Sequence, residues 1–167
     1  FLNRTIILTI FSIFLITLAD PIYGTTDDKI LAGFVDGSYT GDLELRSIFI
    51  QPITNVFMLP FYYILPNFGW YFLFQLFFLI LGLSLVSDEI NAIKPILNNL
   101  IFAISILILS WFVPQPTFTA ASFLICLIGI LLLILIANRV ELDKFRVFAV
   151  LILLLYSFAL RTEAFLG

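Results

Sequence analysis

Two aspartates stand side by side at Asp27 and Asp28, within Thr26-Asp27-Asp28-Lys29 and directly after a long apolar run. Neighbouring carboxylates repel each other, which raises the proton affinity of one of them. Such a pair has two chemical uses. Either carboxylate can take a proton from a hydroxyl as a general base, or the two can offer oxygen ligands to a divalent cation, the one cofactor these residues suggest. A plainer role stands beside these, since acids in the first turn of a short helix favour its positive end.

A second group follows at Asp36, ahead of Gly37-Ser38-Tyr39-Thr40-Gly41. Glycines let a backbone come close to a ligand, and Asp36 and Tyr39 are the candidate substrate contacts of this stretch. The same residues also make an ordinary turn, which the sequence by itself favours. If residues 28–36 are helical, Asp28 and Asp36 lie about 12 Å apart along the axis, too far to share one ion unless the chain bends at Gly33.

The third group is Arg161-Thr162-Glu163. Fourteen residues, 147–160, separate Arg146 from Arg161 and carry no charge. As a helix they cover about 21 Å, short of the roughly 30 Å hydrocarbon core. A helix continuing through Phe165 would hold Arg161 and Glu163 within the outer leaflet, where charges usually face the protein interior and have a function. The planar fork of an arginine suits a phosphate. Snorkelling of the side chain to the interface is the alternative.

Several chemistries are excluded. There is no histidine and a single cysteine, Cys126, so imidazole catalysis, ordinary zinc sites and an internal disulfide are ruled out. The net charge is −3 and no basic patch exists, which argues against a nucleic-acid partner. No P-loop, dinucleotide-binding glycine pattern or serine-centred elbow is present.

The elements that must position these groups are membrane helices. Hydrophobic residues make up 62% of the 167, far above a soluble domain, and they fall in runs long enough to cross a bilayer. The fold class expected is an all-α membrane protein, a single transmembrane domain of about five spans with a long outer first loop containing interfacial helices. The spans are placed at 5–22, 70–87, 96–113, 119–137 and 147–166, with the outer loop at 23–69. Residues 27–35 suit a short helix capped by Thr25 or Thr26. Residues 48–65 are apolar enough to span but carry Gln51, Pro52, Thr54, Asn55 and Pro60, and are expected to form a surface helix broken near Pro60. Gln75, Asn98 and Asn99 are read as packing or interfacial residues.

Basic residues set the orientation. With the N-terminus in the cytoplasm, Arg4, Lys94, Arg139, Lys144 and Arg146 fall inside, against Lys29, Arg46 and Arg161 outside. If residues 48–65 also crossed, every later loop would change sides and this bias would be lost. Trp70, Tyr71 and Trp111 then form an aromatic belt at the outer boundary. The chain begins Phe1-Leu2 and ends Phe165-Leu166-Gly167, and is expected to be part of a longer protein.

The order of features is one span, Asp27-Asp28, Asp36-Gly37-Ser38-Tyr39-Thr40-Gly41, Phe49-Ile50-Gln51-Pro52, Tyr62-Tyr63 with Pro66, and Trp70-Tyr71 opening the next span. In that order the chain resembles the N-terminal part of bacterial multi-spanning glycosyltransferases of GT-C architecture. The layout matches over nearly the whole chain, and the sharper motifs lie in residues 26–71. The resemblance implies an enzyme of the bacterial plasma membrane that takes a sugar from a polyprenyl-phosphate carrier and passes it to an acceptor outside the cytoplasm, for cell-surface glycan or glycolipid assembly. It implies that Asp28, with Asp27 beside it, is the catalytic acid of the first outer loop, and that Arg161 contacts the carrier phosphate. Such enzymes have more spans than this chain, and often a soluble C-terminal domain. A polysaccharide polymerase or flippase-like component, and a non-catalytic membrane subunit, are the alternative expectations.

Overall fold

The computed structural model describes residues 1–24, 26–38, 41–42, 52–66, 68–137 and 143–160, without the side chains of residues 26–28 and 52–53. Every regular element among the described residues is a helix: α1 (Leu2–Ala19), α2 (Thr26–Val35), α3 (Pro52–Ile64), α4 (Trp70–Ile93), α5 (Pro95–Phe112), α6 (Phe118–Ala137) and α7 (Lys144–Leu160). Four of them, α1, α4, α5 and α6, are long and apolar enough to cross a membrane. The described part of α7 is 17 residues long and lies along α6.

The helices bury one side and present apolar side chains on the other. Ile6, Ile10, Ile13 and Phe14 on α1, Leu127 and Ile134 on α6, and Phe148, Leu151 and Leu155 on α7 are all exposed. Apolar surface this continuous is unstable in water and is satisfied by lipid, as in an integral membrane protein.

α4 is the hub, packing against α1, α3, α5, α6 and α7. Close approach is made by small residues. A Cβ on Gly82 would lie 2.6 Å from Ile128 Cγ2, and one on Gly129 would lie 2.8 Å from Leu154 Cδ2. Without a hydrophobic driving force between helices in lipid, such contacts and interhelical hydrogen bonds hold the bundle. The Ser122 hydroxyl donates to the Ser157 carbonyl (2.9 Å) and the Ser157 hydroxyl donates back to the Ser122 carbonyl (2.6 Å), locking α6 to α7.

Three helix boundaries differ from those read in the sequence. α1 is shifted towards the N-terminus and stops at Ala19, where Asp20 takes the left-handed conformation (φ 46°) and its N–H bonds the Ile16 carbonyl. α4 does not end where its apolar run ends at Ser87. It continues through Asp88 and Glu89 to Ile93, because those acids find a cationic partner, and it stops only before Pro95. α7 starts at Lys144 and so takes Arg146, expected in a loop, into its first turn. The proposed extension of that span to residue 166 lies outside the described residues.

α3 is not broken at Pro60 and runs through it. The hydrogen bond that proline removes is the one to the Val56 carbonyl, and both residues are exposed, so the cost falls on the outer face of the helix. Tyr71 is another correction. It is fully buried and belongs to the core, whereas Trp111 is exposed as a belt residue should be.

The segment after α1 is tied down at one end of the bundle. The Ile22 N–H donates to the Pro114 carbonyl (3.2 Å) and the Gly24 N–H to that of Pro116 (3.1 Å). Gly24 is needed there, because a Cβ would lie 2.7 Å from Thr117 Cγ2. The rings of Tyr23 and Tyr71 meet with centroids 5.9 Å apart. The chain therefore leaves α1 and enters α4 at the same end, and the intervening segment with α2 and α3 makes no net crossing.

Candidate functional site

α2 and α3 pack together at that end, and α3 rests on α4 and α7. Leu31, Ala32 and Val35 form the buried face of α2, while Thr54, Asn55, Met58 and Tyr62 are buried on one face of α3. Spacings of three and four residues put each set on one helix face. This packing fixes the end of α2, from which Asp36 emerges.

The Asp36 Oδ1 accepts the Ser38 N–H at 2.8 Å, a local turn of the kind aspartates make. Gly37 has φ 80° and Gly41 φ 84°, values that favour glycine, and the Gly41 N–H closes the turn on the Gly37 carbonyl at 2.8 Å. The Ser38 hydroxyl donates to the Gly33 carbonyl at 3.4 Å. The glycine-bounded loop expected at 37–41 is thus present at its described residues.

Beside this turn is a cavity of about 420 Å³. Its polar wall is Asp36, Gly37 and Ser38. Tyr23, Tyr62 and Phe68 supply aromatic rings, and Ala32, Pro66 and Gly69 complete it. A volume in this range is usual for small-molecule sites, which are lined by apolar and aromatic groups with a few fixed polar ones. Tyr62 is the pivot between cavity and bundle, as its hydroxyl accepts the Tyr71 N–H (3.0 Å) at the start of α4. Burial pushes the Tyr62 phenol up to about 12, the Asp36 charge adds to the rise, and the bond from Tyr71 opposes it.

Of the residues singled out in the sequence, Asp36 is at the cavity. Asp27 and Asp28 are in the first turn of α2, as expected, but their side chains lie outside the described residues. Tyr39, Arg161 and Glu163 also lie outside them. α2 runs unbroken through Gly33, so the tandem acids and Asp36 belong to opposite ends of one helix and do not combine into one ion site. Among the described residues no group of three His, Cys, Asp or Glu could hold a metal ion.

A charged cluster at the opposite end of the bundle was not anticipated. Arg146 pairs with Asp88 (3.1 Å), with Asp143 (3.3 Å) and with Glu89, whose side chain is 1% exposed. Beside it the Arg4 guanidinium donates to the Ser87 carbonyl (2.6 Å) and to its hydroxyl (2.9 Å), and that hydroxyl donates to the Asn98 Oδ1 (3.0 Å). The signal was in the sequence as two acids directly after an apolar run, with arginines assigned to the same side of the membrane. Comparison with protein families, curated proteins and solved structures finds no match.

Proposed function

We propose that the chain is the membrane-embedded part of a GT-C-type glycosyltransferase acting on the non-cytoplasmic side. α7 serves as its fifth span, and the segment with α2 and α3 is the outer loop. The observation that carries this reading is the Asp36 cavity, built by a short acidic helix that follows the first apolar helix and packs at one end of the bundle. With the N-terminus cytoplasmic, Arg4, Lys94 and Arg146 face inward and the cavity faces outward, the orientation that the bias of basic residues supports.

The reaction is a single displacement on the sugar. A carboxylate of Asp28, assisted by Asp27, takes the proton of the acceptor hydroxyl. The acceptor oxygen bonds to the anomeric carbon as the bond from that carbon to the carrier phosphate breaks. Polyprenyl phosphate leaves with the electron pair, its charge held by Arg161, and the glycoside forms with inverted configuration.

The test is glycan transfer by membranes containing the whole protein, comparing the native form with Asp27→Asn, Asp28→Asn and the double variant. Asp28→Asn is expected to lower transfer by about 10²–10⁴-fold, the usual contribution of a general base. Transfer unchanged in the double variant overturns the assignment.

A further inference from the structure

We propose that the Asp36 cavity is a binding site for an organic ammonium cation, either a free amine or quaternary ammonium molecule or the headgroup of a zwitterionic lipid. This goes beyond the glycosyltransferase reading and does not rest on it, because the tandem acids of that reading belong to the other end of α2.

Three observations carry it. The first is the set of rings. Tyr23, Tyr62 and Phe68 line one cavity. The face of an aromatic ring is the negative end of its quadrupole, and a cation over it within about 6 Å of the centroid is attracted. Several rings around one space add their attraction, which is how quaternary ammonium groups are held. Each ring here is fixed by a contact of its own. Tyr23 packs on Tyr71 with centroids 5.9 Å apart, Phe68 packs on Trp70 at 4.8 Å, and the Tyr62 hydroxyl accepts the Tyr71 N–H at 3.0 Å. Rings held in this way need little ordering when a ligand enters.

The second is the carboxylate. Asp36 stands in the wall of the same cavity, oriented by the Ser38 N–H on its Oδ1. Its charge adds to the upward shift of the Tyr62 phenol, so the acid and this ring are near neighbours. A full negative charge beside aromatic rings favours a positive ligand with an apolar skin, which an alkylammonium group is. A calcium ion takes about six to eight oxygen ligands, and rings meet little of that demand.

The third is position. The cavity holds about 420 Å³, and its wall includes Gly69, the residue from which α4 starts. Ends of membrane helices lie at headgroup level, where tryptophan and tyrosine gather, and Trp70 opens α4. The ammonium groups of zwitterionic lipids lie at that depth in either leaflet.

The experiment is saturation-transfer NMR on the whole protein in phosphatidylglycerol nanodiscs, in high salt to screen the bilayer charge and with empty nanodiscs as the blank. The probes are choline, ethanolamine and neohexyl alcohol, the uncharged carbon analogue of choline. At least one of the two cations is expected to receive saturation, binding about tenfold or more tightly than the uncharged probe. Asp36→Asn keeps an oxygen for the Ser38 N–H and should weaken the cation about tenfold by removing the charge. Phe68→Leu, at a half-exposed position, should weaken it about three- to tenfold, because leucine keeps apolar contact and lacks the quadrupole. Replacing part of the lipid by phosphatidylcholine and phosphatidylethanolamine separates the two sources. Loss of the cation signal then assigns the site to a lipid headgroup, and its persistence assigns it to a free cation. The proposal is overturned if neither cation binds, if the uncharged probe binds as well as the cations, or if either variant binds as tightly as the native protein. Should Phe68→Leu fail to fold, Asp36→Asn decides alone. Cation binding together with glycan transfer indifferent to Asp27 and Asp28 leaves this inference standing and removes the enzyme reading. Transfer that needs those acids without cation binding does the reverse.

Discussion

Replacing Arg146 by leucine should destabilise the bundle more than any other single change at its charged end. Arg146 bridges Asp88, Asp143 and Glu89, but these partners do not count equally. Asp143 is half exposed and sits three residues away on the same helix end, so water screens that pair and it contributes little. Asp88 is about one-quarter exposed. Glu89 is 1% exposed, and removing the Arg146 guanidinium breaks an ion pair of a buried carboxylate beside α7. The cost of breaking a buried pair in this way is about 3–5 kcal/mol. With about 2–4 °C lost per kcal/mol in a chain of this size, the melting temperature should fall by about 6–20 °C. The measurement is thermal unfolding of the detergent-solubilised protein followed by intrinsic fluorescence. Arg146→Leu combined with Glu89→Leu should recover most of the loss, since an apolar pair of similar size is about as stable as the ion pair. Arg146→Leu with Asp143→Asn should recover none. A single variant that melts within a degree or two of the native protein, or a Glu89 double variant no better than the single, would refute the argument that burial of Glu89 sets the cost.

Two further outcomes follow from the packing. Ser122→Ala with Ser157→Ala removes the reciprocal bonds between α6 and α7 and should cost about 1 kcal/mol, read as a small fall in the same thermal assay, because hydrogen bonds between membrane helices average well under 1 kcal/mol each. Tyr62 should make the native protein sensitive to alkali: its phenol ionises near 10 when unfolded and near 12 when folded, so the folded state holds the proton more tightly, and stability present below pH 10 is lost progressively between pH 10 and 12. The loss amounts to about 2–3 kcal/mol, and Tyr62→Phe, less stable at neutral pH for want of the Tyr71 bond, should show a correspondingly flatter stability profile over that range.

The spanning helices were legible because lipid burial demands long apolar runs, and α4, α5 and α6 begin within a residue of where those runs begin. Their far ends were harder to read. Hydropathy places a boundary at the first charge, but a helix ends where its backbone hydrogen bonds do, and Asp88 and Glu89 stay helical with Arg146 as a shared ion-pair partner. The partner comes from 57 residues further along the chain, so no local pattern announces it. The same limit explains Tyr71. As a tyrosine at the start of a span it reads as an interfacial residue, yet Tyr23 and Tyr62 close over it. The short helix α2 was legible from its acidic start and from threonines able to cap it. The cavity at its other end was not, because Pro66, Phe68 and Gly69 reach it only when α3 folds back on α4.

The two ends of the bundle are coupled by topology. Tyr23 touches Tyr71 and Gly24 bonds the loop after α5, so the end of α1 and the starts of α4 and α6 share one side. Arg4, Ser87, Glu89, Asn98 and Arg146 share the other. Orientation is thus a single binary variable for all of these groups. In the proposed orientation the Arg4 and Arg146 end is cytoplasmic, which places the Asp36 cavity on the outer face. It also gives the two ends different work. The charged end is closed by the Arg146 ion pairs between α4 and α7 and by the hydrogen bonds through Ser87 that bring in α1 and α5, while the cavity end is closed by α2 and α3, with Met58 and Tyr62 of α3 buried against the bundle. Local opening in a bundle starts where the fewest buried contacts must break. Opening at the cavity end must therefore break the buried contacts that Met58 and Tyr62 of α3 make with the bundle.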